Sequence, residues 1–275
     1  MFWFNGIIFF GFLVFSAAFG GCNPTYPADR LTDSIQALVK KEYNLESKAS
    51  LVGNTLYLDI KLEDISSTEG KKLTAMLEKL QGAVLSIVRV SLSTDAKVNF
   101  MVVTASDPIW KLGIRIIEQL QDIKDYLYMK ISRGDYEGRL VMEIDIGNDG
   151  AINYTGNKEI TFDEFIGRLV VSQYNMVLRS NPFLSILMDK YELKFVGLSG
   201  GELAATGTKN FDPLMFELSR HILIDEARKI IKKYELTNLK IIKIGDQSKP
   251  EAMPIMIDLS KEKERTSANK GVLGF

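Results

Sequence analysis

Beyond residue 27 the chain alternates between stretches with apolar residues every three to four positions and stretches with apolar residues at every second position. Leu31, Ile35, Leu38 and Val39 keep helical spacing, which predicts a helix over residues 28–43. Lys48 to Val52 and Thr55 to Lys61 then flank Gly53-Asn54, a two-residue hairpin signal. In the second of these strands Leu56, Leu58 and Ile60 alternate with Thr55, Tyr57 and Asp59, so one face is buried. Ser66-x-x-Glu69 has the form of a capping box and opens a helix carrying Leu73, Leu77, Leu80, Val84, Ile87 and Val88 along one side. Val98, Phe100 and Val102 mark a strand over residues 97–104.

The same order recurs further along. Thr161-x-x-Glu164 opens an apolar helix predicted from Phe162 to about Tyr191, interrupted near Asn181-Pro182. Glu192 to Leu198 and Glu202 to Thr208 flank a Ser199-Gly200-Gly201 turn. Asp212-Pro213 starts a helix to about Glu235, because Asp caps well and Pro suits the first turn. Residues 238–245 read as a strand. The corresponding hairpin turns lie about 147 positions apart, which points to a duplication. Between the two halves the pattern predicts a helix from Pro108 to about Ile131, capped by Asp107, and a strand from Leu140 to Ile146. A last strand is expected at residues 253–259.

The expected architecture is therefore α+β, with two similar helix-hairpin-helix-strand units and an extra helix and strand between them. In domain terms this gives a signal peptide over 1–21 and a tether over 22–27. The first unit is 28–105, the connecting helix and strand 106–160, the second unit 161–259, and a disordered tail 260–275.

Composition changes the picture chiefly at the N-terminus. Residues 1–22 contain no Lys, Arg, Asp or Glu, and hold eight aromatic side chains. Ile7 to Phe15 reads as the apolar core of an export signal, followed by small residues at 16–18 and 20–21. Phe19-Gly20-Gly21-Cys22 resembles the lipobox of bacterial lipoprotein precursors, although Phe19 stands where an aliphatic residue is usual and no basic residue precedes the apolar core. The resemblance implies diacylglyceryl modification of Cys22, cleavage before it, and a palmitate-type lipid anchor. It also implies placement in the cell envelope, with Asn23 after the Cys favouring the outer membrane of a two-membrane organism. An uncleaved membrane anchor is the alternative, since about 20 apolar residues span a bilayer as a helix. In element order alone, the mature part resembles BON domains, exported modules often linked to membrane attachment.

The 34 basic and 35 acidic residues leave no basic surplus for nucleic acid. One Cys and one His leave no disulfide and no multi-His metal site. Gly197-x-Ser199-x-Gly201 matches the nucleophile-elbow string, and Asp212 and His221 follow in triad order. An elbow needs a helix directly after the Ser, however, whereas Glu202 to Thr208 reads as a returning strand. His221 precedes Asp225 by four positions, as a surface pair does. Asp145 to Gly156 resembles an EF-hand calcium loop, but Gly147 and Gly156 occupy positions that need oxygen ligands. Trp110 is a core filler or a partner anchor, and Lys261 to Arg265 a solvated charge run. No cofactor is expected, and no catalysis. The reading is a membrane-tethered envelope lipoprotein acting through a protein partner. The alternative is a tethered carrier of an apolar or lipidic ligand.

Overall fold

A computed structural model describes residues 25–62, 70–107, 112–146, 157–186, 188–208 and 211–262. Cys22, the Ser66-Glu69 capping box, Trp110, residues 147–156 of the calcium-like loop and residues 263–275 lie outside the described residues. After a 3-10 turn at Ala28–Arg30, the chain forms α1 (Leu31–Tyr43), β1 (Glu46–Val52), β2 (Thr55–Lys61) and α2 (Gly70–Leu92). It continues with β3 (Phe100–Asp107), β4 (Leu112–Gln119), α3 (Leu120–Leu127), α4 (Arg133–Glu137) and β5 (Val141–Ile146). The second half comprises α5 (Phe162–Ser180), α6 (Pro182–Ser185), α7 (Met188–Tyr191), β6 (Leu193–Ser199), β7 (Glu202–Gly207), α8 (Pro213–Lys233), β8 (Ile241–Asp246) and β9 (Ile255–Asp258).

The fold is α+β, and both halves pair their strands in one scheme. Each hairpin closes on a two-residue loop, with Val52 opposite Thr55 and Ser199 opposite Glu202. The second hairpin strand then runs parallel to the strand after the long helix, Thr55 beside Phe100 and Glu202 beside Ile241. A further antiparallel strand follows, with Phe100 opposite Gln119 and Ile241 opposite Asp258. The sheets thus run β1-β2-β3-β4-β5 and β6-β7-β8-β9.

The stretch expected as a helix from Pro108 to Ile131 is a strand over 112–119 and a helix only over 120–127. Ile114, Ile116 and Ile117 cluster here, and such β-branched residues suit a pleated surface better than a helix. β4 and β5 thereby extend the first sheet rather than bridging between sheets.

Two apolar layers hold the fold. One face of the first sheet, carrying Leu56, Leu58, Ile60, Met101, Val103 and Ala105, packs on Leu31, Ile35 and Val39 of α1, Ile87 and Val90 of α2, and Leu120 and Ile123 of α3. The other face presents Tyr57, Phe100, Val102, Ile117 and Val141 to α5, which on its other side meets Leu203 and Ala205 of the second sheet. A helix packed between two sheets has no solvent face, which is why α5 is apolar nearly all round and buries Phe165, Ile166, Leu169, Val170, Val171, Tyr174 and Leu178. The layers run helices, sheet, helices, sheet. The outer face of the second sheet is mixed, with Lys243 of β8 paired to Glu202 of β7 and Met256 of β9 exposed beside them.

Candidate functional site

The residues that spell a nucleophile motif serve a turn. Gly200 and Gly201 both hold positive φ, 59° and 81°, the conformation a two-residue hairpin loop requires. A Cβ on Gly201 would lie 2.1 Å from the Asn238 carbonyl oxygen, so that position admits only glycine. Ser199 ends β6 and is followed by β7, not by a helix. Asp212 sits beyond the opposite end of β7, a strand about 20 Å long. Its carboxylate accepts from the Leu214 and Met215 amides at 3.0 and 3.3 Å and caps α8. His221 lies about 13 Å along α8 from that cap. The three are not assembled.

His221 instead lines a shallow cleft of about 200 Å³ with Glu217, Arg220, Ile224, Asp225, Arg228 and Glu262. Arg220 reaches Glu262 at 2.5 Å and Glu217 at 3.5 Å, and Arg228 donates to the carbonyls of Leu259 and Glu262. Basic and acidic groups are matched across it, and its volume is below that of sites for drug-sized ligands. It fastens the chain after β9 to α8.

The structure gathers its buried ionisable groups elsewhere, along the contact between the two units. Between the first sheet and α5, Arg168 reaches Glu143 of β5 at 2.5 Å and Glu164 one turn back at 2.9 Å, with the Phe195 ring 5.2 Å beneath its guanidinium. Arg115 of β4 is buried beside them, opposite Glu143 in the strand register. Tyr57 adds its hydroxyl, which donates to the Lys158 carbonyl, and burial pushes its phenol pKa up.

A second cluster joins α3 and α4 to the end of α8. Asp122, 3% exposed, accepts from Arg139 at 2.7 Å and from the Tyr234 hydroxyl at 2.5 Å. The Arg139 guanidinium lies 4.9 Å over the Tyr234 ring. Burial raises the Asp122 carboxyl pKa, against the pull of the Tyr234 and Arg139 hydrogen bonds. Lys233 approaches Asp135 at 4.0 Å, and burial draws its ammonium pKa down. On the other side of the same arm Tyr136 stacks on Tyr126 at 4.8 Å and bonds the buried carboxyl of Glu118, whose pKa burial lifts to about 7.

None of these residues stood out as site candidates from the sequence. Glu164 and Arg168 are an i,i+4 pair and could have been read as one. Arg115 and Glu118 sit among isoleucines, where a charge is itself a signal of a buried partner. What the arrangement does chemically is to lock two units through matched charges, and none of its residues lines the cleft around His221.

Among the described residues no helix is long and apolar enough to cross a membrane. No protein-family model and no curated protein sequence matches the chain. Among solved structures, the chain is similar to the crystal structure of the sex pheromone staph-cAM373 precursor, with 10% identity over 85% of this chain and 83% of that one, at a TM-score of 0.21.

Proposed function

We propose that the protein is an exported lipoprotein of a bacterial envelope, anchored through lipid on Cys22, and that it works by binding a protein partner rather than by catalysis. The observation that carries this reading is how soon after Cys22 the folded body begins. The Tyr26 amide donates to the Ser93 carbonyl at 3.4 Å, Tyr26 bridges to Thr94, and the Ala28 amide donates to Asp95 at 2.7 Å. Four residues span at most about 14 Å. A lipid on Cys22 would hold this corner of the body directly against a membrane, and two or more acyl chains would make that attachment lasting.

Tethering in this way raises the effective concentration of the protein toward other envelope components. Tyr26 packs in the core on one side of the first sheet, whereas α8 packs in the core on the other. Leu214 and Leu218, one turn apart on α8, are 83% and 62% exposed. They lie on the side of the sheet away from the anchor, where an envelope protein can meet them. The carrier alternative needs α5 to line a cavity, but Phe165, Leu169, Val170, Tyr174 and Leu178 of α5 are all packed into the second core. In-cell photo-crosslinking from position 218 tests the proposal. A defined protein adduct that is lost in Cys22→Ser supports it, and co-purified lipid without any protein adduct favours the carrier.

A further inference from the structure

Glu118 occupies a position where a carboxyl group has little to bond. It lies on the face of β4 that joins the first core, directly across from Met101 of β3, and is 7% exposed. Tyr136 of α4 hydrogen-bonds it, and its Oε2 has no hydrogen-bond partner among the described residues. Among the described residues the neighbouring elements supply no cation to it. On α2, Glu78 and Lys79 are exposed, and Arg89 turns to Glu42 of α1 at 3.1 Å. On α3, Asp122 is committed to Arg139 and Tyr234, Asp125 pairs with Lys130 at 3.1 Å, and Lys124 is half-buried. On α4, Arg133 pairs with Glu137 at 2.7 Å, and Asp135 is exposed toward Lys233. The ionisable groups that act on Tyr136 are Glu118, Asp122 and Tyr126, all of them acidic.

The segment that covers Glu118 is also the segment that holds the second unit. Residues 120–139 carry Tyr136 toward Glu118 and, on the other side, Asp122, Asp135 and Arg139 toward Tyr234 and Lys233 of α8. We propose that this arm is a proton-dependent clamp: with Glu118 neutral it is seated and joins the two units, and with Glu118 ionised it lifts so that the carboxylate reaches water.

The physical reason is the asymmetry of burial. A neutral carboxyl needs few partners in an apolar core, whereas a carboxylate left there with one phenol donor forfeits most of its hydration. Lifting the arm restores that hydration and gives up the Tyr136 bond and the contacts to Tyr234. With the seated group titrating near 7 and the water-exposed group near 4.5, ionisation favours the lifted arm by up to roughly 300-fold. The rest of the first sheet does not depend on the arm, because β3 is held by β2 and β4 on either side.

Hydrogen exchange on the full chain in detergent micelles, from pH 5.5 to 8.5 and corrected for the intrinsic rate at each pH, tests the clamp. Amides of residues 120–139 should lose about tenfold or more of their protection between pH 5.5 and 7 and level off above that, while amides of β3 keep theirs. Glu118→Gln should keep the arm protected at every pH. Tyr136→Phe should keep the transition and lower the arm's protection across it, since lifting no longer gives up the Tyr136 bond and the seated carboxylate loses its donor. A pH-independent arm in the wild type overturns the proposal, whatever the variants do. So does a transition that survives in Glu118→Gln, or a loss of protection in β3 that keeps step with the arm.

Discussion

The hydroxyl of Ser172 on α5 satisfies both backbone groups of Met142 on β5, accepting from its N–H at 2.8 Å and donating to its C=O at 3.0 Å. A hydroxyl is one donor and two acceptors, so it can do both at once. Gln173 donates to the Leu140 carbonyl at 2.9 Å on the same edge. β5 is the outer strand of the first sheet, and a helix laid along it here replaces the missing neighbour strand.

Replacing Ser172 by Ala should therefore expose an unmet donor and acceptor together. We expect a loss of about 1–3 kcal/mol in urea unfolding. The Met142 amide should also exchange faster than its strand neighbours. Unchanged stability with an unchanged Met142 rate would mean that water takes the place of the hydroxyl at no net loss.

Tyr234 and Asp122 lie 112 positions apart in sequence and share a hydrogen bond. Tyr234→Phe leaves Asp122 with Arg139 and should cost about 1.5–3 kcal/mol, the range for a bond to a charged group. Asp122→Ala removes the acceptor from both partners and leaves a largely buried guanidinium, so a loss of about 3–5 kcal/mol is expected. Denaturation of the two variants side by side checks the ranking. An Asp122→Ala variant no less stable than Tyr234→Phe would show that Arg139 finds water.

Local chemistry made much of this fold legible. Thr161 and Asp212 were readable as caps, and each accepts amide hydrogen bonds at the start of its helix. Gly53-Asn54 was readable as a two-residue turn and Ser199-Gly200-Gly201 as a turn that proves one residue shorter, since Gly53, Gly200 and Gly201 supply the positive φ that such turns require. β4 was not readable. Both its faces are buried, one carrying Arg115 and the other Glu118, and the partners that make those charges tolerable come from β5 and α4. A window of sequence contains no information about a neighbour brought in from elsewhere, so the strand read as part of a helix. The inter-unit clusters were hidden for the same reason, being built from pairs such as Tyr234 and Asp122 that only the tertiary fold brings together.

Ser199→Ala and Gly201→Ala should separate a turn from a nucleophile. The serine side chain is exposed at the end of β6, so its loss should change stability by less than about 0.5 kcal/mol. Gly201→Ala combines a positive φ with a backbone clash and should cost about 2–4 kcal/mol, read from its unfolding midpoint. A fluorophosphonate probe should label neither protein. Labelling of the wild type that disappears in Ser199→Ala would restore the hydrolase reading.

For Cys22, growth with an alkyne-bearing fatty acid should label the wild type and leave Cys22→Ser unlabelled, since the chain contains no other thiol. The variant should also move from the membrane fraction toward the soluble one if its signal is an address rather than a span. Equal labelling of both proteins would remove the lipid anchor from the proposal.

The pH dependence of stability follows from two carboxyl groups whose pKa values are raised by burial, Glu118 to about 7 and Asp122 in the same direction. An unfolded glutamate titrates near 4.5, so below that pH Glu118 is protonated in both states and adds no slope. Between 4.5 and 7 the folded chain holds a proton that the unfolded chain has released, and stability falls as pH rises. Above 7 both states are ionised and the loss is complete, at most about 3 kcal/mol for a displacement of this size. Asp125, Asp246 and Asp258 are shifted the other way by hydrogen bonds to their neighbours, but a lowered carboxylate pKa acts at more acid pH and with the opposite slope. Among these carboxyl groups it is Glu118 that acts over the interval from pH 5.5 to 8. Urea unfolding at these two values should show a more stable protein at the lower pH, and Glu118→Gln should remove most of the difference by gaining stability at pH 8. A wild type whose stability rises across this interval would mean that Glu118 is solvated in the folded protein and that the arm above it does not exclude water.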